Sequence, residues 1–275
     1  MAILWLCGVN GATLAGAHSE QTAVSVKTYS RITVDGSLAD WVRRLEDTDW
    51  AGRLQVNRGE VLPWLRAAPS ALNVLTASVV SGSVEGPDDL SARVYTMWDA
   101  ERLYVAAVVT DDDVVTQRQD GDIWQDDALE LWLDCRHDAV THAVQQDDEH
   151  HLAFSPASRF RQRALAWAWP QPPAGAVLGT MEVASALTPT GYLLEAAVPW
   201  AGLAGCGPAI GGMVGFNISM GDRDGAGPRS LIVWAGRRPA DPLQFGHLYF
   251  VDAPVDLFAS DVTETPSGAT PFGPR

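Results

Sequence analysis

Ser91-Ala92-Arg93-Val94-Tyr95-Thr96-Met97-Trp98-Asp99-Ala100-Glu101-Arg102-Leu103-Tyr104-Val105-Ala106-Ala107-Val108-Val109 decides the fold class, together with the acidic loop and strand that follow it to Asp134. Side chains alternate faces along a strand. On Leu103–Val109 that alternation puts Leu103, Val105, Ala107 and Val109 on one face and Tyr104, Ala106 and Val108 on the other. Both sets are apolar, which predicts a central strand covered on both sides. Asp99-Ala100-Glu101-Arg102 closes a hairpin back to Ala92–Trp98. The next strand, Ala128–Asp134, reads differently. Leu129, Leu131 and Leu133 make a core face, and Glu130, Trp132 and Asp134 a face free for other work. Between them, the loop from Thr110 to Asp127 holds Asp111, Asp112, Asp113, Asp120, Asp122, Asp126 and Asp127, with Trp124 among them. So many carboxylates repel one another unless they are solvated or neutralised by a cation.

Outward from this stretch the strand pattern continues. Short strands are expected at Arg31–Val34, near Leu72–Val80, and at Glu149–Ser155 and Val177–Ser185. Others are expected at Tyr192–Val198, Val214–Met220, Leu231–Trp234 and Gly246–Val251. Asp35-Gly36 is a turn pair, and Pro199 ends its strand because proline cannot continue a central ladder. Roughly ten short strands with turn signals between them, almost no helical period and no fixed repeat predict an all-β antiparallel sandwich with long irregular loops. Residues 1–17, ending in Ala15-Gly16-Ala17, are expected to be a secretory signal, 18–30 a linker, 31–252 the domain and 253–275 a disordered tail. That places the protein outside the cell or in the periplasm.

Composition narrows the function. A formal net charge of -15 argues against a nucleic-acid surface, which needs Lys and Arg for phosphates, and against anionic membranes. It admits divalent cations and neutral ligands. Eleven tryptophans over 275 residues supply core anchors and some ligand platforms. Of the three cysteines, Cys135 and Cys206 can pair in an oxidising compartment or stay free. No zinc spacing, P-loop, G-x-S-x-G or zincin motif is present, and chance pairs of Asp and Glu do not make a glycosidase.

Seven short motifs in order carry a resemblance. They are Ile32-Thr33-Val34-Asp35-Gly36 with Asp40-Trp41, then Trp98-Asp99 with Leu103-Tyr104-Val105 and Thr110-Asp111, then Ile123-Trp124-Gln125-Asp126-Asp127-Ala128-Leu129-Glu130. Gly191-Tyr192 to Glu195 with Val198-Pro199-Trp200 follows, then Gly215-Phe216-Asn217-Ile218, Trp234 and Phe245-Gly246-His247-Leu248. The order resembles carbohydrate-binding module family 9, within the DOMON-like β-sandwich group. The resemblance implies a jelly-roll-like sandwich, secreted and non-catalytic, often joined to xylanases or other glycosidases. It would bind the reducing ends of glucans and xylans between two tryptophans and hold structural calcium. By the same resemblance Trp124 matches the first clamp residue, Glu130 a polar sugar contact, and Asp111 and Asp127 calcium ligands. The second clamp tryptophan would precede Asp241-Pro242, where this chain has Pro239-Ala240. An Arg and an Asn of the pattern are replaced by Ala153 and Ser155.

Trp124 is therefore expected to stack on a sugar ring, since pyranose CH groups pack on an aromatic face as apolar side chains do. Glu130 would accept from sugar hydroxyls. Trp132 shares its face and either extends the platform or packs beneath a neighbouring loop. Asp222-x-Asp224-Gly225 and Asp147-Asp148-Glu149-His150-His151 read as solvated turns rather than metal sites. The partner is a saccharide or polysaccharide, and the chain is expected to be a monomer. The alternatives are a haem-binding DOMON-like electron-transfer domain, drawing on Met97, Met213, Met220, His150 and His151, or a sandwich scaffold that has lost sugar binding.

Overall fold

A computed structural model of the chain describes residues 19, 21–41, 71–73, 77–139, 147–169, 180–225 and 227–251. The expected signal at 1–17, the expected tail at 253–275, and Trp50 and Trp64 lie outside them.

The strands are β1 (Thr22–Lys27), β2 (Ala71–Asn73), β3 (Ser78–Ser81), β4 (Leu90–Trp98), β5 (Arg102–Asp111), β6 (Ala128–Asp134) and β7 (Glu149–Ser155). They continue as β8 (Leu165–Trp169), β9 (Glu182–Thr188), β10 (Gly191–Pro199), β11 (Met213–Asp222), β12 (Ser230–Val233) and β13 (Gly246–Val251). All belong to one sheet, in the order β8-β7-β6-β11-β13-β1-β4-β5-β10-β9, with β12 beside β11, β3 beside β12 and β2 beside β4. The sheet curls around one large apolar core that takes Val94, Val105, Leu131, Phe154, Leu194 and Phe216 from six different strands. Its end strands β8 and β9 touch without pairing, so the sheet is nearly barrel-shaped. Among the described residues no helix is long and apolar enough to cross a membrane.

The sheet is mixed, not wholly antiparallel as the pattern predicted. β1 lies in the stretch read as a linker and runs parallel to both β13 and β4. Its inward residues, Ala23 and Ser25, are small and fully buried, so the apolar alternation is faint. The Trp98 indole N–H donates to the Ser25 carbonyl at 3.0 Å and ties the strand in place. Parallel pairing has no hairpin turn to announce it. The expected strand at Arg31–Val34 is absent. Those residues instead run over the outside of β4, β5 and β10.

The two-sided cover predicted for β5 is present. Leu103, Val105, Ala107 and Val109 face the main core. Tyr104 and Ala106 face a second cluster with Tyr95, Met97, Ala197, Ile32 and Trp41. Glu195 holds that cover down. Wholly buried on β10, it accepts from the backbone N–H groups of Asp35, Gly36 and Ser37 and from the Trp41 indole at 2.7 Å. Burial pushes its carboxyl up in pKa despite these donors. Gly36 has φ 82° and passes so near Ser185 that a Cβ would meet its carbonyl carbon at 3.0 Å. The Asp-Gly turn and the distant glutamate are thus one structural unit.

Candidate functional site

The acidic loop is ordered by its own carboxylates. Buried Asp126 accepts from the backbone N–H groups of Gln117 and Arg118, each at 2.6 Å, and pairs with the Arg223 guanidinium at 2.6 Å. Buried Asp127 accepts from the backbone N–H groups of Val115 and Arg223. Between these anchors, Asp120–Gln125 forms a short 3-10 helix that buries Ile123 and leaves Trp124 41% exposed. Trp124 is therefore an exposed aromatic on a rigid turn.

One face of β6 was expected to be free, but all seven of its residues are buried. The outer face is covered by a row of side chains running across the sheet. Trp132 lies opposite His151, and His151 opposite Trp169. The His151 ring is stacked between the two indoles, 3.5 Å from Trp132 and 4.4 Å from Trp169. The Trp132 indole N–H donates to Ser219 Oγ at 3.1 Å. Trp132 is buried against side chains of the neighbouring strands rather than beneath a loop.

Glu130 sits in the adjacent row, 5% exposed. His151 Nε2 stands 2.8 Å from its Oε2, and Arg229 Nη2 donates to its Oε1. Burial alone would raise its carboxyl, but the His151 hydrogen bond and the Arg229 charge outweigh burial and hold it below the usual Glu range. The Arg229 guanidinium also lies 5.5 Å from the Trp124 ring centroid. Trp124 and Glu130 are thereby joined through one arginine. Reading along the chain missed this role of Arg229, because nothing near it in sequence marks it.

Behind the loop is a second buried cluster. Asp111 ends β5, Asp127 precedes β6 and Asp222 ends β11, with one carboxylate oxygen from each lying within 4.8 Å of the others. Asp111 Oδ2 and both Asp222 oxygens are buried with no hydrogen-bond partner. Burial first, then repulsion from surrounding aspartates, Asp224 among them, pushes Asp111 up to about 7, Asp127 to about 9 and Asp222 to about 8. Carboxylates gathered from the ends of β5 and β11 and from the loop before β6, three of their oxygens without a partner, fit an oxygen-seeking divalent cation. Asp111 and Asp127 were expected here. Asp222, read as part of a solvated hairpin, is the missed member.

The remaining candidates separate. Asp148 is buried against Arg136, and His150 bonds the Ala204 carbonyl. Met97 packs in the second apolar cluster, the buried Met220 sulfur accepts from Tyr192, and Met213 lies at the surface. His151 is held by Glu130. Cys135 and Cys206 form a disulfide.

A family model, "Carbohydrate family 9 binding domain-like", matches residues 66–253. The chain belongs to that family. A family 9 domain is a non-catalytic carbohydrate-binding module, and the curated relatives of this one match through a small part of their length. Endo-1,4-beta-xylanase A of Thermotoga neapolitana is 27% identical over 180 residues, 64% of this chain and 15% of that enzyme. Exoglucanase XynX of Acetivibrio thermocellus is 24% identical over 195 residues, 70% of this chain and 16% of the relative. Two solved structures share the fold. The family 9 module of Caldicellulosiruptor kristjanssonii in complex with cellotriose aligns with TM-score 0.55 and 18% identity, covering 91% of this chain and all of that one. The same organism's module with glucose gives 0.52 and 17%, covering 86% of this chain and 99% of that one. In this family 9 domain Ala153 lies directly opposite Glu130 and is fully buried. Ser155 is also buried and donates to the Asp127 carbonyl.

Proposed function

We propose that this family 9 domain binds a short glucan or xylan segment on the outer face beside β6, with one sugar ring stacked on Trp124. The observation that carries the reading is the exposed Trp124, held on an otherwise anchored turn and joined through Arg229 to a buried charged network. An apolar ring face next to directional polar groups is what a pyranose needs, because its CH faces stack and its hydroxyls demand hydrogen bonds. The ligands of the two Caldicellulosiruptor complexes, cellotriose and glucose, support the substrate class. The xylanase and exoglucanase relatives support a role in polysaccharide breakdown, outside the cell or in the periplasm, beside a catalytic partner.

We read the curved sheet as a jelly-roll-like sandwich flattened around its core, and the domain as a monomer that engages neither nucleic acid nor membrane. We also assign a structural calcium to Asp111, Asp127 and Asp222. Bound there, calcium supplies the positive charge the cluster lacks. These residues bracket the loop bearing Trp124, so they hold its two ends together against β11.

Calorimetric titration with glucose, cellobiose, xylobiose and their alditols, in calcium, tests the reading. Binding by the wild type that disappears in Trp124→Ala supports it, and weaker binding of the alditols supports reducing-end recognition. Absence of heat with every saccharide sinks it.

A further inference from the structure

Glu130 has little left to offer a ligand. One oxygen is taken by Arg229 and the other by His151, and the residue is 5% exposed. Across from it on β7 stands Ala153, with no polar side-chain atom to give. The neighbouring arginines are committed elsewhere. Arg118 and Arg223 pair with Asp126, and Arg161 donates to the carbonyls of Arg118, Pro156 and Arg163.

Arg229 differs from them in its place. It is the cation set over the exposed Trp124 ring, and its Nε, like that of Arg118, is buried without a hydrogen-bond partner. Its guanidinium lies against the backbone of Gly221, where a Cβ would stand 2.2 Å from Nε and 2.5 Å from Cζ. β11 thus provides a groove that only glycine leaves open. Glu130 fixes one edge of the guanidinium, and Gly221 fixes its depth.

We propose that the polar group this domain presents to its saccharide is the Arg229 guanidinium, with Glu130 as its positioning residue, and that the ligand is read through two adjacent ring hydroxyls beside Trp124. This rests on the reading that the outer face binds a saccharide. The planar fork of an arginine matches two neighbouring oxygens, and charge-assisted hydrogen bonds are the stronger kind. A site built around such a donor discriminates against an analogue that lacks one of the hydroxyls, because its own group is then left unpaired.

The test is calorimetric titration of the full chain with cellobiose, glucose, 2-deoxyglucose and 3-deoxyglucose. The variants are Trp124→Ala, Arg229→Lys and Gly221→Ala, each checked for its melting temperature. Arg229→Lys keeps the charge and loses the fork. It is expected to weaken cellobiose binding about tenfold to a hundredfold and to erase the preference for glucose over one of the deoxy sugars. Gly221→Ala displaces the guanidinium, the far end of a flexible side chain, and loosens its pair with Glu130, so it should reproduce both losses in a chain that still folds, with a lowered melting temperature. That variant decides the matter if Arg229→Lys folds poorly. If both variants bind within twofold of wild type and keep the preference while Trp124→Ala abolishes binding, the assignment to Arg229 falls and the saccharide site stands. Equal binding of glucose and both deoxy sugars by the wild type overturns the hydroxyl readout. A wild type that binds none of the saccharides overturns the site itself.

Discussion

Two sets of buried carboxylates stand on either side of the Trp124 loop, and burial acts on them with opposite results. Glu130 is held below its ordinary pKa, while Asp111, Asp127 and Asp222 are driven up to between about 7 and 9. Desolvation is the first cause in both. The neighbours decide the sign. Glu130 has an arginine and a histidine against its two oxygens, whereas the three aspartates face one another. A buried carboxylate with its cation in place is a finished structural unit. A buried set without one must take up protons or a cation, which is why we propose calcium there.

The largest effect should come from supplying that charge. Unfolded, the three aspartates titrate near the ordinary 3.9 or so. Folded and metal-free, they titrate between about 7 and 9. Between those limits the folded state holds more protons, so metal-free stability from this cluster is full below about pH 4 and drains away as pH rises through 7 to 9. Calcium added at pH 8 should restore about 4 kcal/mol at a thousandfold excess over its dissociation constant. Urea unfolding against pH, with and without calcium, measures both. A flat pH profile, or no response to calcium, would break the comparison.

Glu130 should behave in the opposite sense. Glu130→Ala leaves the largely covered Arg229 charge without its partner and should cost about 2 kcal/mol in urea unfolding at pH 7, with no calcium dependence of its own. Because its folded pKa is depressed, this stability is present above pH 4 to 5 and is lost as pH falls through the lowered value. Cys206→Ser is the control away from both clusters. Opening a bridge between residues 71 apart should cost about 2 to 4 kcal/mol while saccharide binding and the calcium response survive. The smallest effect is expected from Trp132→Phe, which removes the bond to Ser219 Oγ. About 1 kcal/mol should be lost, and cellobiose affinity should stay within twofold. A large loss of affinity would return Trp132 to the binding platform.

The hairpin of β4 and β5 was legible because its neighbours in space are its neighbours in sequence. So was the covered character of β5, since both of its faces are apolar. β1 was not, because its core residues are only Ala23 and Ser25 and its partners are parallel strands far along the chain. In the site, Trp124 and Glu130 stand six residues apart in a recognisable segment, and Asp111 and Asp127 stand at the two ends of one loop. Arg229 lies 99 residues from Glu130 and carries no local signature. Asp222 looked like hairpin decoration until β11 brought it beside the loop.

The sequence alone determined that this chain is built of strands, that β5 lies covered on both faces, and that an aromatic-bearing loop is flanked by carboxylates. Periodicity, turn residues and local composition suffice for that, since each acts over a few residues. Only the tertiary structure decided which carboxylates meet a cation and which meet one another. That depends on β11 lying beside β6 and on the chain between β11 and β12 carrying Arg229 back over Gly221. The electrostatics of a buried group are set by its neighbours in space, and here those neighbours come from strands far apart in the chain.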